Sequence, residues 1–195
     1  MDKLANTITN YYIQKNIIAE EKREIYSYGF KLIFSDVINY MIIILLGIIL
    51  NRLIESVAFL ITLCGVRKFS GGFHAKSFWL CRLAMIITCL CVILLTDIVT
   101  YTGFETVIVI FVNVISVVFI TIFAPVIHPN KPLSDKQKHN NKIKSVITSI
   151  VMSIVSIAIV AKDMKFGVTI SITLLAVVAL MTIGMAVRKG GKENV

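Results

Sequence analysis

Charged residues are scarce in this sequence. Asp, Glu, Lys and Arg make up 16% of its 195 residues, 57% are hydrophobic, and the mean hydropathy is +0.86. A soluble domain has roughly 25% charged residues, and a core of this size could not bury so much apolar surface. The composition therefore excludes an ordinary soluble domain. It predicts a single membrane-embedded domain over residues 1–195.

Several common sequence features are also absent. The N-terminus lacks an apolar stretch with a small-residue cleavage site, so we predict no signal peptide. The chain shows no internal repeat, no low-complexity tract and no G-x-x-x-x-G-K phosphate loop. His128 and His139 have no tight ligand pair such as C-x-x-C beside them. We therefore expect no metal, no cofactor and no nucleic-acid partner.

Apolar segments of the length of a spanning helix recur along the chain. They predict an all-α integral membrane protein of about six transmembrane helices, over residues 34–50, 53–66, 83–101, 104–127, 146–161 and 167–187. The segment 53–66 is short and carries Glu55, so by length alone it could be re-entrant. Before residue 30, apolar side chains follow a helical period and predict an amphipathic helix in the membrane interface, over residues 1–30.

The distribution of Lys and Arg decides between these topologies. If all six segments cross the membrane from a cytoplasmic N-terminus, seventeen of the twenty basic residues lie inside and three outside. If segment 53–66 does not cross, only seven lie inside and thirteen outside. The positive-inside rule favours the first arrangement. We therefore predict a multi-pass protein of the cell membrane with both termini in the cytoplasm.

A polar break at residues 67–82 contains candidates for thiol chemistry. Cys81 is the candidate nucleophile and His74 the candidate base, because the unperturbed pKa of histidine is about 6.5. Gly71 and Gly72 permit a sharp turn and could present N–H groups to an oxyanion. Nearby positive charge would favour the thiolate form of Cys81; it comes from Arg67, Lys68, Lys76 and Arg82.

The spacing of His74 and Cys81 constrains this interpretation. Seven residues along a straight helix place two side chains on one face, but roughly 10.5 Å apart along the axis. A direct hydrogen bond needs about 3 Å. The pair therefore needs a bend in the backbone or a partner from a second copy. The alternative is that His74 is an interfacial polar residue and Cys81 an ordinary thiol.

A second polar stretch, residues 128–145, is strongly basic. All three prolines of the chain lie in or just before it, and it carries Lys131, Lys136, Lys138, Lys142 and Lys144. These lysines could simply be the positive flank of a span. They could instead bind an acidic peptide or anionic membrane lipid. On this second interpretation the substrate-binding candidates are Lys131, Lys136, Lys138 and Lys142, together with Arg67 and Lys68.

Three features resemble the accessory gene regulator B family: the string RKFSGGFH, the cysteine seven residues after its histidine, and the later string APVIHPNKP. The resemblance covers essentially the whole chain. Members of that family are membrane cysteine endopeptidases of Gram-positive quorum sensing. The resemblance implies that His74 and Cys81 are catalytic. It also implies an AgrD-like propeptide as substrate, whose C-terminal tail is cut through an acyl-enzyme thioester.

The same resemblance implies that the cut peptide is cyclised to a thiolactone or lactone, and that the protein acts as a homodimer. A small membrane peptide transporter and a non-enzymatic membrane scaffold are the alternatives. A transporter would need polar residues along several spans, and charges within the predicted spans are sparse. Cleavage of a propeptide by the pure protein would separate these three functions.

Overall fold

The computed structural model of the chain describes residues 2–71, 78–126 and 134–190, with the backbone alone for the last three. These residues form helices and no β-strand, which confirms the all-α prediction. In order, the elements are α1 (Asp2–Gln14), a 3-10 turn (Glu20–Lys22), α2 (Arg23–Ile49), α3 (Leu53–Ser70), α4 (Phe78–Thr100), α5 (Glu105–Phe123), α6 (Asp135–Val160) and α7 (Met164–Gly190).

Five helices among the described residues are long and apolar enough to cross a membrane. They are α2, α4, α5, α6 and α7. Helix α3 is not one of them, because its 18 residues include three charged ones, Glu55, Arg67 and Lys68. The crossing of segment 53–66 rests on the distribution of basic residues and stays a prediction, as do the sides of the membrane on which the termini lie.

The chain divides into two compact units, Met1–Leu45 and Leu46–Val195. In the first unit, α1 ends at Gln14 and the backbone turns at Asn16, which has a φ of 56°. Side chains of α1 then bond to the start of α2, through Asn6 with Ser27 (2.6 Å) and Asp2 with Lys31 (2.8 Å). The stretch predicted as one interfacial helix is therefore divided: α1 is a separate helix, and residues 23–30 belong to α2.

In the second unit, α7 is the central helix and contacts α3, α4, α5 and α6. Its residues 167–174 are all buried. At Gly167 an added Cβ would lie 2.7 Å from the Cα of Val160 on α6, so only glycine permits this close approach of the two helices. Small residues at such interfaces are typical of helix packing in membranes.

A buried polar network connects three helices of this unit. The Ser171 hydroxyl of α7 donates to Asn113 Oδ1 of α5 at 3.0 Å. The Ser156 hydroxyl of α6 lies 2.7 Å from both Ser171 Oγ and the carbonyl oxygen of Gly167. All three side chains are at most 1% exposed. A polar group in an apolar surrounding is costly without a partner, so these bonds favour one arrangement of α5, α6 and α7.

Helix α6 begins earlier than its apolar segment suggests. Ser134 and Gln137 form a capping box: Ser134 Oγ accepts from the Gln137 N–H at 3.3 Å, and Gln137 Oε1 accepts from the Ser134 N–H at 3.1 Å. This cap satisfies two N–H groups at the start of the helix. Residues 135–145, expected as a loop, are therefore the first turns of α6, and the lysines among them lie on a helix.

Candidate active site

Cys81 lies in the first turn of α4 and is half-buried. It lines a cavity with Ala84, Met85 and Thr88 of the same helix. These four residues follow the spacing i, i+3, i+4 and i+7, which places them on one face of α4. The opposite walls are Leu63 and Arg67 of α3 and Leu180 of α7.

The cavity is narrow. The volume in it that the centre of a water molecule can occupy is about 10 Å³, close to what one water molecule needs. Most of its lining is apolar, from Leu63, Ala84, Met85 and Leu180. Cys81 itself is half-buried, and a peptide would have to lie across the mouth of the cavity.

The four basic residues of the polar break have different positions. Arg67 shares the cavity with Cys81. Lys68 is exposed, with its Nζ 5.8 Å from the centre of the Phe69 ring. Arg82 follows Cys81 in sequence, but its guanidinium stands 4.8 Å from the centre of the Trp79 ring. Lys76 lies outside the described residues. Of the described candidates, Arg67 is therefore the one that lines the cavity.

His74 and Gly72 also lie outside the described residues, so the geometry of a His74–Cys81 pair stays a prediction. Gly71 is described and ends α3. Its N–H donates to the Arg67 carbonyl oxygen at 3.1 Å, so in this structure that N–H caps the helix. The oxyanion role of Gly71 and Gly72 also stays a prediction.

The two polar stretches singled out in the sequence meet at one end of the helices. The Lys144 Nζ of α6 lies 5.5 Å from the centre of the Phe69 ring of α3. The backbone of Gly71, after α3, pairs with that of Val126, after α5. The lysines at the start of α6 therefore lie at the same end of the unit as the last turn of α3. The segment that leads to Cys81 follows that turn.

The substrate-binding candidates on α6 are solvent-facing. Lys136, Lys138 and Lys142 are all exposed, and no carboxylate among the described residues forms an ion pair with them. Lys131, before the helix, lies outside the described residues. Lys138 and Lys142 are four residues apart and share one face of α6. Exposed lysines without a described carboxylate partner are suited to an anionic partner.

The other cysteines do not line this cavity. Cys89 is fully buried within α4, Cys91 is exposed, and Cys64 of α3 is half-buried. The described cysteines form no disulfide, and no cluster of three metal-ligating side chains occurs among the described residues. This arrangement distinguishes Cys81, which alone of the four lines the described cavity with a basic residue.

Sequence reasoning found Cys81 and Arg67 but missed the apolar walls. The helical spacing from Cys81 could have indicated Ala84, Met85 and Thr88. Leu63 and Leu180 carried no comparable signal, because they reach the cavity through the packing of α3 and α7 against α4.

The family model of accessory gene regulator B matches residues 3–184. The chain belongs to the accessory gene regulator B family. Its membership agrees with the resemblance seen in the sequence, and with the long apolar helices it identifies the chain as a membrane protein.

Individual relatives carry the same family name. A putative AgrB-like protein of Clostridium perfringens (strain SM101 / Type A) is 31% identical over 122 residues, which are 60% of this chain and 57% of that protein. This chain therefore covers little more than half of that relative's length. The putative AgrB-like protein 1 of Clostridium perfringens (strain 13 / Type A) is 27% identical over 80% of this chain and 83% of its own length.

A shorter match is the protein FsrB of Enterococcus faecalis (strain ATCC 47077 / OG1RF). It is 37% identical over 54 residues, which are 28% of this chain and 22% of that protein. No solved structure matches this chain significantly.

Proposed function

We propose that this protein is a membrane cysteine endopeptidase that processes a quorum-sensing propeptide. It cleaves the propeptide before its C-terminal tail and promotes cyclisation of the remaining peptide to a thiolactone or lactone. The observation that carries the proposal is the position of Cys81, which lines a narrow, mostly apolar cavity together with Arg67. Membership of the accessory gene regulator B family supports it.

The first step is attack by the Cys81 thiolate on the scissile carbonyl carbon. The thiolate is the nucleophilic form of cysteine, and Arg67 is the described basic residue that lines the cavity with Cys81. The C–N bond breaks, the tail leaves as an amine, and a thioester remains on Cys81. In this proposal His74 takes the thiol proton and returns it to the leaving amine.

The second step is attack on this thioester by a thiol or hydroxyl of the bound peptide. The attacking group gives its proton to His74, the Cys81 thiolate leaves, and the peptide closes into a ring. Exchange of one thioester for another releases little free energy, so hydrolysis must be kept slow. Apolar walls and room for about one water molecule limit access of water to the thioester, which favours ring closure.

Docking of the tail is assigned to the start of α6. The exposed lysines Lys136, Lys138 and Lys142 would attract an acidic tail and hold it at the end of the unit where α3 approaches α6. Lys131, Lys68 and Arg67 complete the proposed substrate-binding set. Anionic membrane lipid would be attracted to the same lysines.

The test is reconstitution of the pure protein in liposomes with a candidate propeptide. Mass spectrometry is expected to detect the released tail, the cyclic peptide and, after rapid quenching, an acyl adduct on Cys81. A transporter or a scaffold would leave the propeptide intact. The peptidase assignment would be rejected if the folded protein released no tail from any propeptide encoded beside its gene.

A further inference from the structure

The backbone after α3 pairs with the backbone after α5. The N–H of Val126 donates to the carbonyl oxygen of Ser70 at 2.9 Å, and Gly71 and Val126 form an isolated parallel bridge. It is the one β-type contact among the described residues. It joins the end of the helix that carries Arg67 to the chain that leads into the basic start of α6.

Only glycine fits at position 71. Its φ of 72° and ψ of −154° lie in a region of backbone space that is essentially restricted to glycine. A Cβ there would also lie 2.3 Å from the Val126 carbonyl oxygen. That neighbour is backbone and has no rotamer by which to move away. Any side chain at 71 therefore forces apart the pairing by roughly 1 Å, since ordinary carbon contacts begin near 3.5 Å.

The pairing is directly connected to the cavity of Cys81. The Gly71 N–H donates to the Arg67 carbonyl oxygen at 3.1 Å, and Arg67 lines that cavity. Ser70, whose carbonyl accepts from Val126, is fully buried. A displacement at Gly71 is therefore transmitted to the last turn of α3, where Arg67 lies.

We propose that Gly71 is a positioning residue for catalysis: its backbone pairing with Val126 fixes the last turn of α3, and thereby Arg67, relative to Cys81. This inference rests on the peptidase function proposed above. It assigns to Gly71 a role distinct from oxyanion binding, because its N–H is used in the cap of α3. It also assigns to Val126 a role that depends on its main chain and not on its side chain.

The experiment measures kcat and KM for propeptide cleavage by the full chain in liposomes. Gly71→Ala is expected to lower kcat by about 100-fold with little change in KM, because a misplacement of about 1 Å can cost that much. Val126→Pro, which removes the N–H donor, is expected to give a similar loss of kcat, whereas Val126→Ala retains the main chain and should stay close to wild type.

Gly65→Ala is the matched control on the same helix. Its Cβ would make an ordinary 3.7 Å contact with Met152, so wild-type kinetics are expected. The double variant of Gly71→Ala and Val126→Pro should lose no more than either single variant, because both break one pairing. Thermal unfolding of each variant separates lost positioning from lost folding, since a positioning role predicts a loss of kcat at an unchanged midpoint.

Gly71→Ala with kcat within twofold of wild type would overturn the inference, as would a loss of kcat that only follows a lower unfolding midpoint. Additive losses in the double variant would also overturn it. If the wild-type protein cleaves and these variants behave like it, the positioning role alone fails. If folded wild-type protein cleaves nothing, the proposed function fails, and this inference fails with it.

Discussion

Cys81 in the first turn of α4 and Arg67 in the last turn of α3 line the same cavity. The two residues come from different helices and line one space with room for about one water molecule.

Replacement of Cys81 should abolish cleavage. Cys81→Ser retains the size of the side chain but replaces the thiol by a hydroxyl that ionises far less readily. No tail should be released in the mass-spectrometric assay, and no acyl adduct should form. As a control, the combined replacement of Cys64, Cys89 and Cys91 by Ala should retain activity, because none of them lines the cavity. An active Cys81→Ser variant beside an inactive triple variant would contradict the assignment.

Replacement of Arg67 should slow the chemical step. We expect Arg67→Gln to lower kcat by about tenfold to 100-fold, since an interaction with a charged group contributes roughly 1.5–3 kcal/mol. Lys68→Gln is the neighbouring control: Lys68 is exposed, so its loss should alter KM mildly and leave kcat near wild type. Equal effects of the two substitutions on kcat would argue against a specific role for the cavity arginine.

Cys81 should react only from the cytoplasmic side. A membrane-impermeant thiol reagent is expected to label it in inverted vesicles but not in intact cells, in a chain without the other three cysteines. Lys162→Cys provides the opposite control, because residue 162 lies in the exposed link between α6 and α7 and is predicted to be outside. Labelling of Cys81 in intact cells would contradict the six-span topology.

The lysines of α6 should contribute to substrate binding and not to chemistry. Exposed ion pairs contribute about 0–1 kcal/mol each, so one substitution should be mild. Combined Lys136, Lys138 and Lys142→Gln substitutions should raise KM by roughly tenfold, at about 1.4 kcal/mol per decade. The difference from wild type should shrink at high salt, because exposed charges are screened over about 8–10 Å. Lys162→Gln is the matched control.

An unchanged KM for the triple Gln variant at low salt would mean that these lysines only bias the orientation of the spans. A fall in kcat at constant KM would also contradict docking, because the acidic tail is remote from the carbonyl under attack.

The polar network of Asn113 should stabilise the packing of α5 with α6 and α7. Asn113→Ala removes the acceptor of the Ser171 hydroxyl and should lower the free energy of unfolding by about 1–2 kcal/mol. Thr121→Val is the control on the same helix, since the Thr121 hydroxyl is exposed and bonds only within α5. Denaturation in mixed micelles would measure both, and equal stabilities would contradict the role of the network.

The sequence by itself indicated that this is a membrane protein, that it is helical, and to which family it belongs. These follow from local properties: apolar segments near the length of a spanning helix, and the motif from Arg67 to Cys81. The start of α6 was also open to local reasoning, because Ser134 and Gln137 have the S-x-x-Q spacing of a capping box. It was missed because hydropathy, which does not register a polar helical extension, was used to set the boundary.

Tertiary structure alone decided which residues meet. Ser171 and Asn113 are distant in sequence, as are Gly71 and Val126, and each pair depends on how separate helices pack. No local propensity encodes such a contact, because the same apolar segments could pack in several orders within a bilayer. Three features exist only once the helices are assembled. They are the close approach of Gly71 to Val126, the central position of α7, and the contribution of Leu180 to the wall of the Cys81 cavity.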